Sequence, residues 1–178
     1  MDIAGKRVAI IATDLFEESE LIKPKEALDQ AGAKTVVIAP HAGQIQAVRH
    51  EVKTIMLPVD QTLSEARPED FDAVLLPGGA LNADELRVNR QAQEFIRAMD
   101  DANKPIAVIC HGPWLLASAG VIQGRHLTSY HTIADDLINA GAEWTDEEVV
   151  TDGNWVSSRQ PDDIPAFNDA VISHIAAA

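Results

Sequence analysis

Short apolar runs separated by longer amphipathic stretches constrain this chain more than any other feature. Arg7–Ala12, Lys34–Ala39, Ala73–Leu76 and the run from Lys104 to Cys110 each read as a buried strand. Between them Glu18–Ala31, closed by Gly32, and Asn89–Asp101 carry helical periodicity, with Ala92, Phe95, Ile96 and Met99 on one stripe. Strands without polar alternation are covered on both faces. Helices between them make neighbouring strands parallel. The expected fold is α/β, a doubly wound, flavodoxin-like three-layer α/β/α sandwich with a mostly parallel central sheet, spanning residues 1–178 as one domain. In such sheets, sites lie beyond the carboxyl ends of the strands at a topological switch point. Three segments fall there: Thr13–Glu20, Pro77–Asn82 and Cys110–Trp114.

The remaining elements fit this order. Gln44–Leu57 alternates and suggests a hairpin about Arg49-His50-Glu51. Pro68–Asp70 leads into the strand at Ala73. Thr132–Ala140 is a helix closed by Gly141. Glu148–Thr151 and Trp155–Ser158 flank Asp152-Gly153-Asn154, a hairpin signal. Pro161–Ala177 is a terminal helix.

Charge and composition narrow the partners. A net charge of −14 over 178 residues opposes phosphate binding, so nucleic acid is not an expected partner, nor is an anionic membrane surface. No stretch approaches the roughly 20 apolar residues of a membrane span, and the N-terminus lacks a signal-peptide core. One cysteine forms no internal disulfide. The expected compartment is the cytoplasm. No Walker or dinucleotide glycine pattern is present, and His41, His50, His126, His131 and His174 show no metal-ligand spacing, so neither cofactor nor metal is expected.

Cys110 stands where an apolar strand meets a helix, in Ile109-Cys110-His111-Gly112-Pro113. Most lone cysteines are small core hydrophobes. A core cysteine, however, has no need of a polar His111 beside it or of a turn glycine. Pro113 suits a first helical turn. The arrangement has the shape of a nucleophile elbow with sulfur in place of oxygen. A helix N-terminus favours thiolate, so a depressed Cys110 pKa is expected.

Two other segments bring chemistry to the same edge. Asp14, Glu17, Glu18 and Glu20 follow the first strand, and they could simply complement a helix dipole. Glu18 is expected to face solvent, whereas Glu17, at the turn over the sheet edge, is placed to hydrogen-bond the Cys110 sulfur. Pro77-Gly78-Gly79 is a tight turn whose bare amides, with those near Gly112, could hold an oxyanion. His111 is a candidate base that would need an orienting acid, and spacing does not say which. His131 reads as a surface residue.

These residues resemble one family. Phe16-Glu17 with Glu20-Leu21, Phe71 to Gly79, Ala107 to Pro113, Asn139-Ala140-Gly141 and Glu148 to Arg159 are similar, in order, to the motifs of PfpI intracellular proteases. That family lies within the ThiJ/PfpI superfamily, whose fold is that of class I glutamine amidotransferases. The resemblance implies homodimers and often hexamers, Cys110 as nucleophile, Glu17 as its hydrogen-bond partner and His111 as base. It also implies an acid supplied by a neighbouring subunit, and the matching position is Asp84, where protease-type members carry Glu. Another branch places a distant His near the cysteine, and here Tyr130 stands at that point. The implied activity is a stress-response cysteine hydrolase, peptidase-like or deglycase-type, acting on a peptide or small reactive carbonyl. The alternative is a redox-sensing or chaperone-like stress protein whose Cys110 is oxidised to sulfinate with little turnover.

Overall fold

The computed structural model describes residues 2–178. A seven-stranded sheet forms its middle layer, in the spatial order β11-β12-β8-β7-β1-β3-β6. The central strands are β1 (Arg7–Ile11), β3 (Lys34–Ala39), β7 (Ala73–Leu76) and β8 (Ile106–Ile109). They pair in parallel, as does β12 (Trp155–Ser158) with β8, and the two-residue β6 (Gln61–Thr62) extends the β3 edge. Only β11 (Val149–Asp152) runs antiparallel, joined to β12 through Gly153-Asn154.

The absence of polar alternation in these strands has the expected cause. Successive side chains of β1 enter opposite cores: Ala9 and Ile11 on one face, Val8 and Ile10 on the other. One face is covered by α1 (Glu18–Gln30) and α6 (Ile164–Ala177). The other carries α2 (Ala80–Arg87), α3 (Arg90–Asp101), α4 (Pro113–Ala119) and α5 (Ala134–Asn139). Asn89 caps α3, its side chain accepting the Ala92 N–H at 3.0 Å. The buried residues of α3 are Ala92, Phe95, Ile96 and Met99, the stripe read from the sequence.

Several elements were not legible in the sequence, among them the short β2 (Phe16–Glu17). It pairs with β4 (Gln44–Arg49), which with its antiparallel partner β5 (Val52–Pro58) forms the hairpin expected about Arg49-His50-Glu51. That hairpin stands off the main sheet. The eight-residue α2 lies where only a glycine turn was expected, because its mixed composition carries little periodicity. The Thr132–Ala140 and Pro161–Ala177 helices each begin as a 3-10 turn, at His131–Ile133 and Pro161–Asp163. A two-strand parallel patch, β9 (His126–Leu127) with β10 (Glu143–Trp144), was also missed. No helix among the described residues is long and apolar enough to cross a membrane.

The connection order places the site. The chain leaves β1 toward β3 on one side and later returns to β7 on the other, so a crevice opens between β1 and β7 at their carboxyl ends. Asn82, fully buried, braces it. Its Oδ1 accepts the Thr13 N–H at 2.7 Å, and its Nδ2 donates to the carbonyls of Gly78 at 3.0 Å and Pro77 at 3.3 Å. Gly112 lets the next strand end come close, since a Cβ there would lie 2.8 Å from Val108 Cγ2 and 2.9 Å from the Leu76 carbonyl oxygen. The substitution Gly112→Ala overpacks this contact and is expected to cost about 1–3 kcal/mol in urea denaturation. An unchanged midpoint would show that β7 and α4 can separate freely.

Candidate active site

Cys110 is the first residue past β8, and its backbone is left-handed, with φ at 63°. A non-glycine residue in that region is strained and persists only where the surroundings hold it. Here they do. The Cys110 N–H donates to Ser158 O at 3.1 Å, and its carbonyl accepts the Tyr130 N–H at 2.9 Å. The Gly112 N–H donates back to Ile109 O at 3.0 Å, which closes the turn into α4. The bend throws Sγ over the crevice, although the residue remains only 7% exposed.

The carboxyl beside this sulfur is Glu20, a correction to the expected Glu17. Glu20 hydrogen-bonds the Cys110 thiol, and its Oε2 accepts the Gly78 N–H at 2.8 Å. Helical spacing decides the matter. The buried face of α1 carries Glu20, Leu21, Pro24 and Leu28, which aims Glu20 inward at the elbow. Glu17 precedes the helix, and its Oε2 instead accepts the His50 N–H at 3.0 Å. The stripe Glu20, Pro24, Leu28 at four-residue intervals was the signal available in the sequence. Glu18 is not a free solvent-facing acid either, since its Oε1 accepts from Arg49 Nη2 at 3.0 Å.

Burial sets the protonation of the pair. Glu20 is 1% exposed, and burial pushes its pKa up to about 8; the nearby Glu17 charge adds to the rise, against hydrogen bonds from Cys110 and Gly78. Burial also pushes the Cys110 thiol above the usual thiol range, with the Glu20 carboxyl contributing. That direction is opposite to the expected depression, since lost hydration works against the main-chain N–H groups of Gly79 and His111 that point at the sulfur. Burial thus biases both members of the pair toward their protonated forms.

Those two N–H groups also define where negative charge can be held. Gly79 sits at φ 91°, and a Cβ there would meet Glu17 N and Leu15 O at 2.7 Å each. Two further glycines expected to help do not. The Gly78 N–H is committed to Glu20, and the Gly112 N–H to Ile109 O.

His111 completes the constellation. Its Nδ1 is 3.2 Å from Cys110 Sγ. The ring is stacked with Tyr130, centroids 5.2 Å apart, and meets the edge of Trp114 at 5.3 Å, a neighbour the sequence did not single out. Burial and the nearby His131 hold the His111 pKa below its usual value, which leaves a neutral ring able to accept a proton. Among the described residues no carboxylate hydrogen-bonds His111. Asp84 is exposed on α2 and does not line the cleft of its own chain, and His131 is exposed. The cleft over Cys110 measures about 1420 Å³, with α1, the β4–β5 hairpin, the start of α2, Tyr130 and the Gln160–Asp162 turn as its walls.

Comparisons with known proteins agree with this architecture. The model of the DJ-1/PfpI family matches residues 6–174. The chain is 44% identical over 162 residues to a Pyrococcus furiosus protein named deglycase PfpI, covering 90% of this chain and 94% of the relative. It is 41% identical over 165 residues to Bacillus subtilis general stress protein 18, covering 92% and 94%. Its structure superposes on Drosophila melanogaster DJ-1beta with a TM-score of 0.87 at 29% identity, covering 100% of this chain and 92% of the other. With the elbow, the buried acid and the paired histidine in place, the chain belongs to the DJ-1/PfpI family.

Proposed function

We propose that this protein is a cysteine-dependent hydrolase of the cytoplasm that acts on reactive-carbonyl adducts, in the manner of a deglycase. The Pyrococcus furiosus relative, named a deglycase, supports the reading. The observation that carries it is the 3.2 Å approach of His111 Nδ1 to Cys110 Sγ, with the Gly79 and His111 N–H groups aimed at the same atom. A buried core cysteine needs neither a base nor a pair of free donors.

The chemistry follows from the protonation states. A thiol biased toward its protonated form loses its proton as it attacks, and His111, whose Nδ1 is 3.2 Å from the sulfur, is positioned to take it. On a carbinol formed by an amine and a 2-oxoaldehyde, an S–C bond forms and the C–N bond breaks, and the amine leaves with the proton that His111 carried. His111 then takes the carbinol C–H proton and delivers it to the adjacent carbonyl carbon, while the carbinol O–H proton passes to the former carbonyl oxygen. The intermediate enediolate oxygen lies within reach of the Gly79 and His111 N–H groups. The product is a thioester of a 2-hydroxy acid. Water hydrolyses it and restores the thiol. A peptide carbonyl would use the same groups for acyl transfer, with the amine as leaving group.

Glu20 favours a second reading as well. A protonated carboxyl beside the sulfur can donate to a sulfinate oxygen once peroxide has oxidised Cys110. In that case intact mass shows the gain of two oxygens after peroxide, with no turnover of carbonyl substrates.

The test of the enzyme reading is release of the hydroxy acid, followed by NMR, from methylglyoxal and its amine adducts. Wild type should turn over, Cys110→Ser should fall to background, and His111→Ala should lose about 10²–10⁴-fold. Equal rates in wild type and Cys110→Ser would sink it.

We further propose that the acid orienting His111 is Asp84 of a second copy in a homodimer or hexamer, since His111 finds none in its own chain. Asp84→Asn should then lower turnover about tenfold or more while leaving thiol alkylation unchanged. A protein that sediments as a monomer at full activity excludes this.

Glu20 also sets a pH dependence. Its carboxyl ionises near 4.5 in an unfolded chain and near 8 in the fold, so the folded state binds the extra proton between those values. Stability from this group is complete below about pH 4.5 and declines as pH rises toward 8. Glu20→Gln keeps both hydrogen bonds and cannot ionise. Its stability relative to wild type should rise through that window and level off above it, by urea denaturation. Glu20→Leu leaves the Gly78 N–H buried and unpaired, and should be less stable than Glu20→Gln by about 1–3 kcal/mol. A pH-independent difference between Glu20→Gln and wild type would mean that Glu20 is already ionised in the fold.

A further inference from the structure

Glu17 is a buried carboxyl, 8% exposed, that among the described residues hydrogen-bonds neither the sulfur nor a cationic side chain. Its single hydrogen bond is to a main-chain N–H, that of His50 at the tip of the β4–β5 hairpin. His50 has a left-handed backbone, φ 58°, a conformation that costs energy in a non-glycine residue and needs an outside tether. The hairpin depends on such tethers along its length. Asp14 Oδ1 accepts the Gln46 N–H at 2.8 Å, Glu18 Oε1 pairs with Arg49, and β2 adds a two-residue ladder to β4. Its outer strand β5 exposes Val52, Ile55 and Met56, so little packing holds it from behind. Val48, Arg49, His50, Glu51 and Lys53 of this hairpin form one wall of the cleft over Cys110.

Glu17 is also three residues before Glu20, so one short segment carries both the acid that holds the hairpin tip and the acid that holds the thiol. Resting on the assignment of Cys110 as the reactive group, we propose that Glu17 is a positioning residue: it holds the hairpin wall over the cleft and sets a buried carboxyl on the Glu20 side of the Cys110–Glu20 pair.

The charge effect has a definite sign. A carboxylate beside Glu20 opposes a second negative charge on the pair, and the Glu17 charge indeed raises the Glu20 pKa. Other charged groups face this region. Glu18 is neutralised by Arg49. Lys53 and Glu51 lie on the hairpin, Lys23 and Glu26 on α1, and Asp162 on the turn before α6, all exposed on the cleft walls. His111, its pKa held below the usual value by burial, adds little charge at pH 7. Among the carboxylates that line the cleft, Glu17 is the one buried on the Glu20 side of the helix start.

Two variants separate the two actions. Glu17→Gln keeps an acceptor for the His50 N–H and removes the charge. Glu17→Ala removes both. The first measurement is iodoacetamide alkylation of Cys110 against pH; the second is hydrogen exchange at the His50 amide. Both variants should move the alkylation midpoint downward, by about half a unit or more. Only Glu17→Ala should speed His50 exchange, by about tenfold or more. On a carbonyl substrate, Glu17→Gln should leave KM within about twofold, and Glu17→Ala should raise KM severalfold with kcat little changed. Unmoved midpoints in both variants overturn the electrostatic action, and unchanged His50 exchange in Glu17→Ala overturns the tether. Alkylation and exchange need no turnover, so a wrong substrate class would show as absent activity with these two responses intact.

Discussion

The structure turns on a left-handed backbone at Cys110, where strand β8 must stop and helix α4 must begin within a few residues. That bend is costly for a residue with a Cβ, and the surrounding contacts are the means of holding it. Ser158 and Tyr130 fix its amide and carbonyl, and Gly112 closes the turn against Ile109. The strand order then makes the bend useful. Because β8 neighbours β7, and β7 neighbours β1, three strand ends deliver the sulfur, the Pro77-Gly78-Gly79 amides and the acidic start of α1 to one crevice.

Placing a carboxyl and a thiol together in that crevice, away from water, reverses the usual expectation for an elbow cysteine. Helix ends and main-chain donors favour thiolate, but they act against the loss of hydration of two acids at once. The result is a pair biased toward its protonated forms, in which a base beside the sulfur would assist loss of the thiol proton. His111 fills that position as a ring kept neutral by burial and held between Tyr130 and Trp114. The same dry environment magnifies any nearby fixed charge, which is why a carboxylate as close in sequence as Glu17 matters to the pair.

The cleft is built differently from the core beneath it. Its floor is the rigid end of a seven-stranded sheet, and one wall is a hairpin outside that sheet, held by Asp14, Glu17 and Glu18 as much as by apolar packing. Hydrogen bonds to carboxylates specify a position without filling a large volume.

The sequence by itself determined the sandwich, the elbow and the segments that meet there, because each is written in local pattern. Apolar runs name buried strands, the stripe of Ala92, Phe95, Ile96 and Met99 names a helix face, and Cys110-His111-Gly112-Pro113 names a strand-to-helix turn. It did not decide which of four clustered acids reaches the sulfur. Glu17 and Glu20 differ by three positions, less than one helical turn, and the outcome depended on where α1 starts and which face it buries against the sheet. Nor could it give the protonation of the pair or the use of the glycine amides. Gly78 serves Glu20 and Gly79 serves the sulfur only because β1 and β7 are neighbours. Pattern along a chain fixes which faces are apolar. Distances between groups from separate strand ends, and the water excluded between them, exist only once the sheet has assembled.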